Sequence, residues 1–373
     1  MIIGIPKEVK NHEYRVGATP AMVSQLVREG HQVMVQTRAG ERIGFLDSHY
    51  ERVGAKIVAR PQDVYDCDMI IKVKEPQASE FPLMHEGQVI FGYLHLAPDP
   101  EQTENLLERG VVGIAYETVT DPQGRLPLLL PMSEIAGRVA VMAGSNVLQM
   151  ITGGKGKLLG GVPGVEPAKV VILGGGVVGR EAARMAMGLG ADVSVLDNNV
   201  NVLRDLDQRY APRLHTVFSN DLSLRSHVLG ADLVIGAVLV AGRLAPRLIT
   251  KEMIAEMKPG SVFVDVAIDQ GGCAETSKPT THSDPTYVVN DVVHYCVSNM
   301  PGAYALTATH ALTNVTSRYA MALADRGWQK ALDEDPHLRA GLNVCHGKIT
   351  NKGVAEALNY NYVPPEVALH AMQ

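Results

Sequence analysis

Residues 170–197 read VVILGGGVVGREAARMAMGLGADVSVLD. An apolar run leads into Gly174-x-Gly176-x-x-Gly179, and a helical pattern with Ala182, Ala183 and Ala186 follows. Gly190 stops that helix, and a second apolar run ends on Asp197. Each glycine has its own physical reason. Gly174 permits the tight turn, Gly176 lets a backbone approach a pyrophosphate, and Gly179 lets the helix pack close to the strand. The helix N-terminus offers unpaired N–H groups and a positive dipole end to phosphates. Asp197 is placed to accept from the ribose hydroxyls of an adenosine, and its charge repels a 2′-phosphate, which favours NAD over NADP. A lone glycine motif is weak; strand, glycines, helix, strand and terminal Asp in one run is strong. FAD and a nucleotide-sensing regulatory domain remain alternatives on this stretch alone.

Outward from that run, further apolar strands are expected at 214–218, 232–235, 261–266 and 287–289, completing a six-stranded Rossmann domain for NAD. A first set lies upstream at 2–5, 31–36, 68–74, 88–94 and 111–116, with a helix opening at Pro20. Continuous apolar strands separated by helices imply parallel sheets covered on both faces. Long helical patterns at 133–151 and about 303–324 join the sets. The tail after them, with a helix near 354–358, is too short for a domain of its own and is expected to pack on the first. The expected fold is therefore α/β, with two doubly wound parallel-sheet domains. A discontinuous substrate domain takes 1–130 plus 304–373, and the NAD-binding Rossmann domain takes 131–303.

The bulk numbers agree with two ordinary cores: 373 residues, 46% apolar and 20% charged. A net charge of −6 gives no reason to expect nucleic acid as a partner. No apolar run is long enough to span a bilayer, so no membrane partner is expected. The start MIIGIPKEVK lacks a signal-peptide pattern. Cys67, Cys273, Cys296 and Cys345 form no metal spacing. They read as reduced cytoplasmic thiols, and no metal is expected.

Ligands of doubly wound sheets sit beyond the carboxyl ends of the strands. Arg15 follows the first strand, Lys74 ends 68–74, His95 follows 88–94, and Asp269 follows 261–266. Together they make coherent chemistry for a keto acid. Arg offers a bidentate fork for a carboxylate, Lys a donor for a carbonyl, His a proton near neutral pH, and Asp a base for ammonia and water. Singly, each also fits a bland reading: a surface Arg, a solvated Lys74–Glu75 pair, a strand-end His, a turn-forming Asp.

These segments, taken in order, resemble the alanine dehydrogenase family, whose wider group includes the NAD-binding subunit of proton-translocating transhydrogenase. The resemblance covers essentially the whole chain. It runs through IGIPKEVKNHEYRVGATP (3–20), KVKEP (72–76), FGYLHLA (91–97), PMSEIAGR (131–138), VDVAIDQGGC (264–273) and VSNMPGA (297–303). It implies substrate binding by Arg15 and Lys74 and catalysis by His95 and Asp269. It implies NAD contacts at Ser133, Val177, Val178, Asp197, Ser219, Leu239, Ile268, Lys278, Asn299 and Met300. The implied reaction is oxidative deamination of L-alanine to pyruvate and ammonium, and its reverse, in a homo-oligomer, a hexamer in the family's usual form. One departure is Val202, which stands where family members carry Arg or Lys; Arg204 is the nearby substitute. The rivals are a transhydrogenase NAD subunit, an opine-type dehydrogenase, and a non-catalytic NAD-binding regulator.

Overall fold

A computed structural model describes residues 1–238 and 245–370. The chain divides into two compact units, Met1–Pro131 with Tyr304–Gln373, and Met132–Ala303. The first six strands are β1 (Ile2–Ile5), β2 (Gln32–Gln36), β3 (Lys56–Val58), β4 (Met69–Ile71), β5 (Val89–Gly92) and β6 (Val112–Ala115). The second unit contributes β7 (Lys169–Leu173), β8 (Asp192–Asp197), β9 (His215–Phe218), β10 (Leu233–Gly236), β11 (Val262–Asp265), β12 (Thr286–Val289) and β13 (Val292–Tyr295). The chain then returns to the first unit with β14 (Leu342–Cys345) and β15 (Lys348–Ile349).

The first sheet is ordered β15-β14-β6-β5-β4-β1-β2-β3 and the second β12-β13-β11-β10-β7-β8-β9. Counted in chain order within each unit, the first contains the 3-2-1-4-5-6 arrangement of a doubly wound sheet, and the second reads 3-2-1-4-5-7-6, its seventh strand taking the sixth place. The order reverses between β1 and β4 in one unit and between β7 and β10 in the other. Crevices for ligands open at such reversals, beyond the carboxyl ends. β4, β5, β6, β10 and β11 are buried at every residue, which is why their sequences run apolar without alternation.

Not every strand is parallel. β14 pairs antiparallel with β6, β15 with β14, and β12 with β13. The expected sixth strand of the nucleotide sheet, 287–289, is therefore an antiparallel edge, and β13 holds the parallel sixth place. The cause is local. Asn290 and Asp291 have φ of 47° and 60°, the paired left-handed conformation of a two-residue hairpin turn, which Asn and Asp tolerate. The runs at 68–74 and 88–94 form shorter strands than expected. β4 ends at Ile71, though the Lys72 N–H still donates to the Phe91 carbonyl at 3.0 Å while its side chain enters a buried ion cluster.

The helix Pro20–Arg28 shows the local logic. Thr19 accepts the Met22 N–H at 3.3 Å, Pro20 opens the first turn, and Met22, Val23 and Leu26 are buried. The long helix Leu130–Val147 takes Pro131 into its first turn. All four cysteines are buried free thiols. Among the described residues no helix is long and apolar enough to cross a membrane.

Candidate active site

In the first unit, three sequence-selected residues follow adjacent strands. Arg15 lies in the loop after β1, Lys74 three residues beyond β4, and His95 three beyond β5. Arg15 is only 2% exposed. Its Nε donates to Glu13 Oε1 at 2.7 Å and its Nη2 to Oε2 at 2.5 Å. Burial opposes the guanidinium charge, and Glu13 more than restores it. Lys74 is 8% exposed, with Nζ 3.3 Å from Glu75 Oε2. Lys10 pairs with the other Glu75 oxygen. Burial of Glu75 works against ionisation, yet Lys74 and Lys10 hold its pKa down at about 2.

Beneath Lys74 lies a buried cluster. Lys72 Nζ donates to Glu80 Oε1 at 2.9 Å and to Glu8 Oε2 at 3.2 Å. The Tyr65 hydroxyl donates to Glu80 at 2.8 Å, and Glu8 Oε1 accepts the Val73 N–H at 2.7 Å. Burial pushes Glu8 up to about 7, with Lys72 pulling the other way. The cluster thus clamps the backbone one residue before Lys74.

His95 has φ of 47°, a left-handed value that few non-glycine residues adopt. Its ring lies nearly parallel to Tyr93, with an interplanar angle of 4° and centroids 5.8 Å apart. The Tyr93 hydroxyl donates to the Leu128 carbonyl at 2.6 Å. The His95 side chain stays 40% exposed, so a substrate can reach it.

In the second unit, Gly174 takes φ of 96° at the end of β7. Gly176 stands at the N-cap of helix Val177–Gly188, which no described side chain caps. A Cβ built on Gly176 meets no described atom within 4 Å, whereas one on Gly179 falls 1.8 Å from the Gly174 carbonyl oxygen. The first position is an open cradle below helix N–H groups, with Val177 and Val178 in that first turn. The second is the helix–strand contact. These features fit a dinucleotide pyrophosphate. Asp197 Oδ2 accepts the Gly175 N–H and Oδ1 the Asn199 N–H, both at 2.7 Å. Ser219 donates its N–H to the Asp197 carbonyl at 3.0 Å, placing it beside Asp197 beyond β9.

Ile268 and Asp269 lie on the short 3-10 turn Val266–Gln270 after β11, Ile268 buried and Asp269 exposed. Asp265 anchors that turn from below. It accepts the Ala267 N–H at 3.0 Å, the Cys273 N–H at 2.9 Å and the Ser277 hydroxyl at 2.5 Å. Asn299 has φ of 66°, and its carbonyl accepts from His282 Nε2 at 3.1 Å. Met300 is buried beside it. Ser133 is half-buried near the start of helix Leu130–Val147. Lys278 is exposed on a loop, its N–H donating to the Tyr287 hydroxyl at 2.7 Å. Neither sits at a strand end. Leu239 lies outside the described residues. Among the described residues no group of three His, Cys, Asp or Glu side chains could hold a metal ion.

Comparison with known proteins matches nearly the whole chain, with a boundary between residues 136 and 140 and the second match running on into the returning segment. Residues 4–136 match the family described as alanine dehydrogenase/PNT, N-terminal domain, and residues 140–352 its C-terminal domain. This chain belongs to the alanine dehydrogenase/PNT family. It is 57% identical over 364 residues to an alanine dehydrogenase of Halomonas elongata, covering 97% of this chain and 98% of that one. It is 53% identical to the alanine dehydrogenase of Bacillus subtilis, covering 99% and 98%. A solved L-alanine dehydrogenase superposes with a TM-score of 0.93 at 50% identity, covering 96% of this chain and 99% of the other.

Within this family frame, Val202 finds a structural place. Its Cγ1 lies 2.6 Å from a Cβ built on Gly175, so it packs on the glycine turn. Arg204 is engaged by Asn201 Oδ1 at 2.7 Å. Sequence reasoning missed Glu8, Glu13, Glu117 and Asp265. The strand-end rule that picked out Lys74 and His95 applies equally to Glu117, which follows β6. Glu8 and Glu13 share the loop after β1 with Arg15, and Asp265 ends β11, so the rule reaches them too, but their burial arises only once the loops close.

Proposed function

We propose that this chain converts L-alanine, NAD and water to pyruvate, ammonium, NADH and a proton, and runs the reverse amination. The observation that carries this reading is the grouping of Arg15, Lys74 and His95 beyond three adjacent strands, in a chain so closely related to alanine dehydrogenases. NAD, when bound at the glycine turn, supplies the hydride acceptor for the alpha carbon. Arg15, held rigid by Glu13, takes the substrate carboxylate. Lys74 holds the carbonyl oxygen of pyruvate. His95 moves the proton at the reacting centre, and Asp269 serves the ammonia and water side. Ser133, Val177, Val178, Asp197, Ser219, Leu239, Ile268, Lys278, Asn299 and Met300 are proposed as NAD contacts around the glycines.

The assembly we propose is a homo-oligomer, a hexamer in the family's usual form. The exposed Met150 and Ile151, at 72% and 88%, support it as apolar surface that a second copy would cover. A cytoplasmic setting is supported by four free cysteines. Sedimentation tests the assembly.

The activity test is NADH oxidation with pyruvate, with and without ammonium. Turnover should require ammonium; equal rates without it would make the chain a hydroxyacid dehydrogenase instead. His95→Asn tests the acid/base role, because Asn accepts the left-handed backbone. It should lose at least about 100-fold in kcat while NADH affinity holds.

A further inference from the structure

The Glu117 carboxylate reaches back from the residues after β6 to the turn that carries His95. It accepts the His95 N–H at 2.6 Å and the Leu94 N–H at 3.2 Å. Two successive backbone N–H groups converging on one anion form a concave nest, here filled by a side chain of the same unit. The same carboxylate stands 3.8 Å from His95 Nδ1. Tyr93, stacked on the His95 ring, feels Glu117 and Arg15 together, so these four side chains occupy one neighbourhood.

We propose that Glu117 is a positioning residue for His95: it holds the left-handed backbone that aims the imidazole and supplies a fixed counter-charge to the ring when it carries a proton. The proposal rests on the reading of His95 as acid/base. Its logic is the division of labour around one ring. Tyr93 fixes the plane of the imidazole, being tied through its hydroxyl to Leu128. Glu117 fixes the backbone from which the ring projects. A gap of 3.8 Å is too long for a direct hydrogen bond but close enough for strong attraction between a carboxylate and an imidazolium. A proton carried by His95 is thus not passed to Glu117, and the ring can return it to substrate.

The test is a double-mutant cycle with Glu117→Gln and His95→Asn, with rates normalised to active sites titrated by NADH. Glu117→Gln keeps an amide oxygen for the His95 N–H and removes the charge. We expect kcat to fall at least about ten-fold, with the KM for pyruvate and NADH affinity within about two-fold of wild type. The double variant should be no slower than His95→Asn alone, since the two residues act as one unit. Near-normal kcat in folded Glu117→Gln, or losses that multiply in the double variant, would overturn the proposal. If instead His95→Asn itself turns over normally, the acid/base reading of His95 falls.

Discussion

The Asp197 carboxylate accepts the Gly175 N–H at 2.7 Å, so the acidic end of β8 and the glycine turn after β7 are one mechanical piece. On the proposed NAD contacts, a ribose held by Asp197 and a pyrophosphate held by the turn would be positioned by the same bond. NAD should exceed NADP by at least about 100-fold in kcat/KM, since a 2′-phosphate would meet Asp197 while Val202 supplies no cation. Asp197→Ala should narrow that gap and also weaken NADH binding, because the turn loses its anchor. Comparable wild-type kcat/KM for the two cofactors would refute the assignment.

Two glycines of the same turn should behave differently when given a methyl group. Gly176→Ala has room in the fold and should unfold within about 1 kcal/mol of wild type, while NADH affinity drops at least ten-fold. Gly179→Ala drives a Cβ into the Gly174 carbonyl and should cost more than about 2 kcal/mol. Urea unfolding and NADH fluorescence titration separate the two effects; equal destabilisation would mean the cradle at Gly176 is closed.

Lys72 bonds both Glu8 and Glu80 in its buried cluster. Lys72→Met leaves two carboxylates buried together and should cost about 3–5 kcal/mol. Adding Glu8→Gln and Glu80→Gln should recover part of that loss. A tolerated Lys72→Met, measured by urea unfolding, would show that water reaches the cluster.

Glu8 and Glu75 set opposite pH dependences. Burial raises Glu8 from 4.5 to about 7. Its contribution to stability is full below 4.5 and is lost as pH rises through about 7. Glu75, buried but held by Lys74 and Lys10, is lowered from 4.5 to about 2. Its contribution is full above 4.5 and is lost as pH falls towards 2. The stability of Glu8→Gln relative to wild type should therefore climb between pH 4.5 and 7, by about 2–3 kcal/mol. Glu75→Gln should instead flatten the acid side. A Glu8→Gln difference that does not change with pH would place that carboxyl in contact with solvent.

The glycine turn and the strands around it were legible because their constraints are local: backbone conformation, close approach, and a period of apolar residues. The paired turn at Asn290-Asp291 was equally local but went unread, so β12 took the place of β13. β14 and β15 could not be read at all, since their short runs gain meaning only from pairing with β6, far away in sequence. Arg15, Lys74, His95 and Asp269 were found by position at strand ends. The side chains that hold two of them, Glu13 and Glu117, act through bonds that exist only in the folded unit.

The pairing of β14 with β6 also bears on biosynthesis. Ile114 stands opposite Leu342, so β6 gains its antiparallel partner only once residues 342–345 have been made. Residues 132–303 are complete well before that and can fold as they leave the ribosome. Throughout that interval Val112–Ala115, wholly apolar and glycine, is an open sheet edge, the kind of surface that recruits chaperones or neighbouring nascent chains. Between the synthesis of residue 116 and that of residue 342 this edge lacks its native partner, and slowing translation in that stretch should raise capture by chaperones.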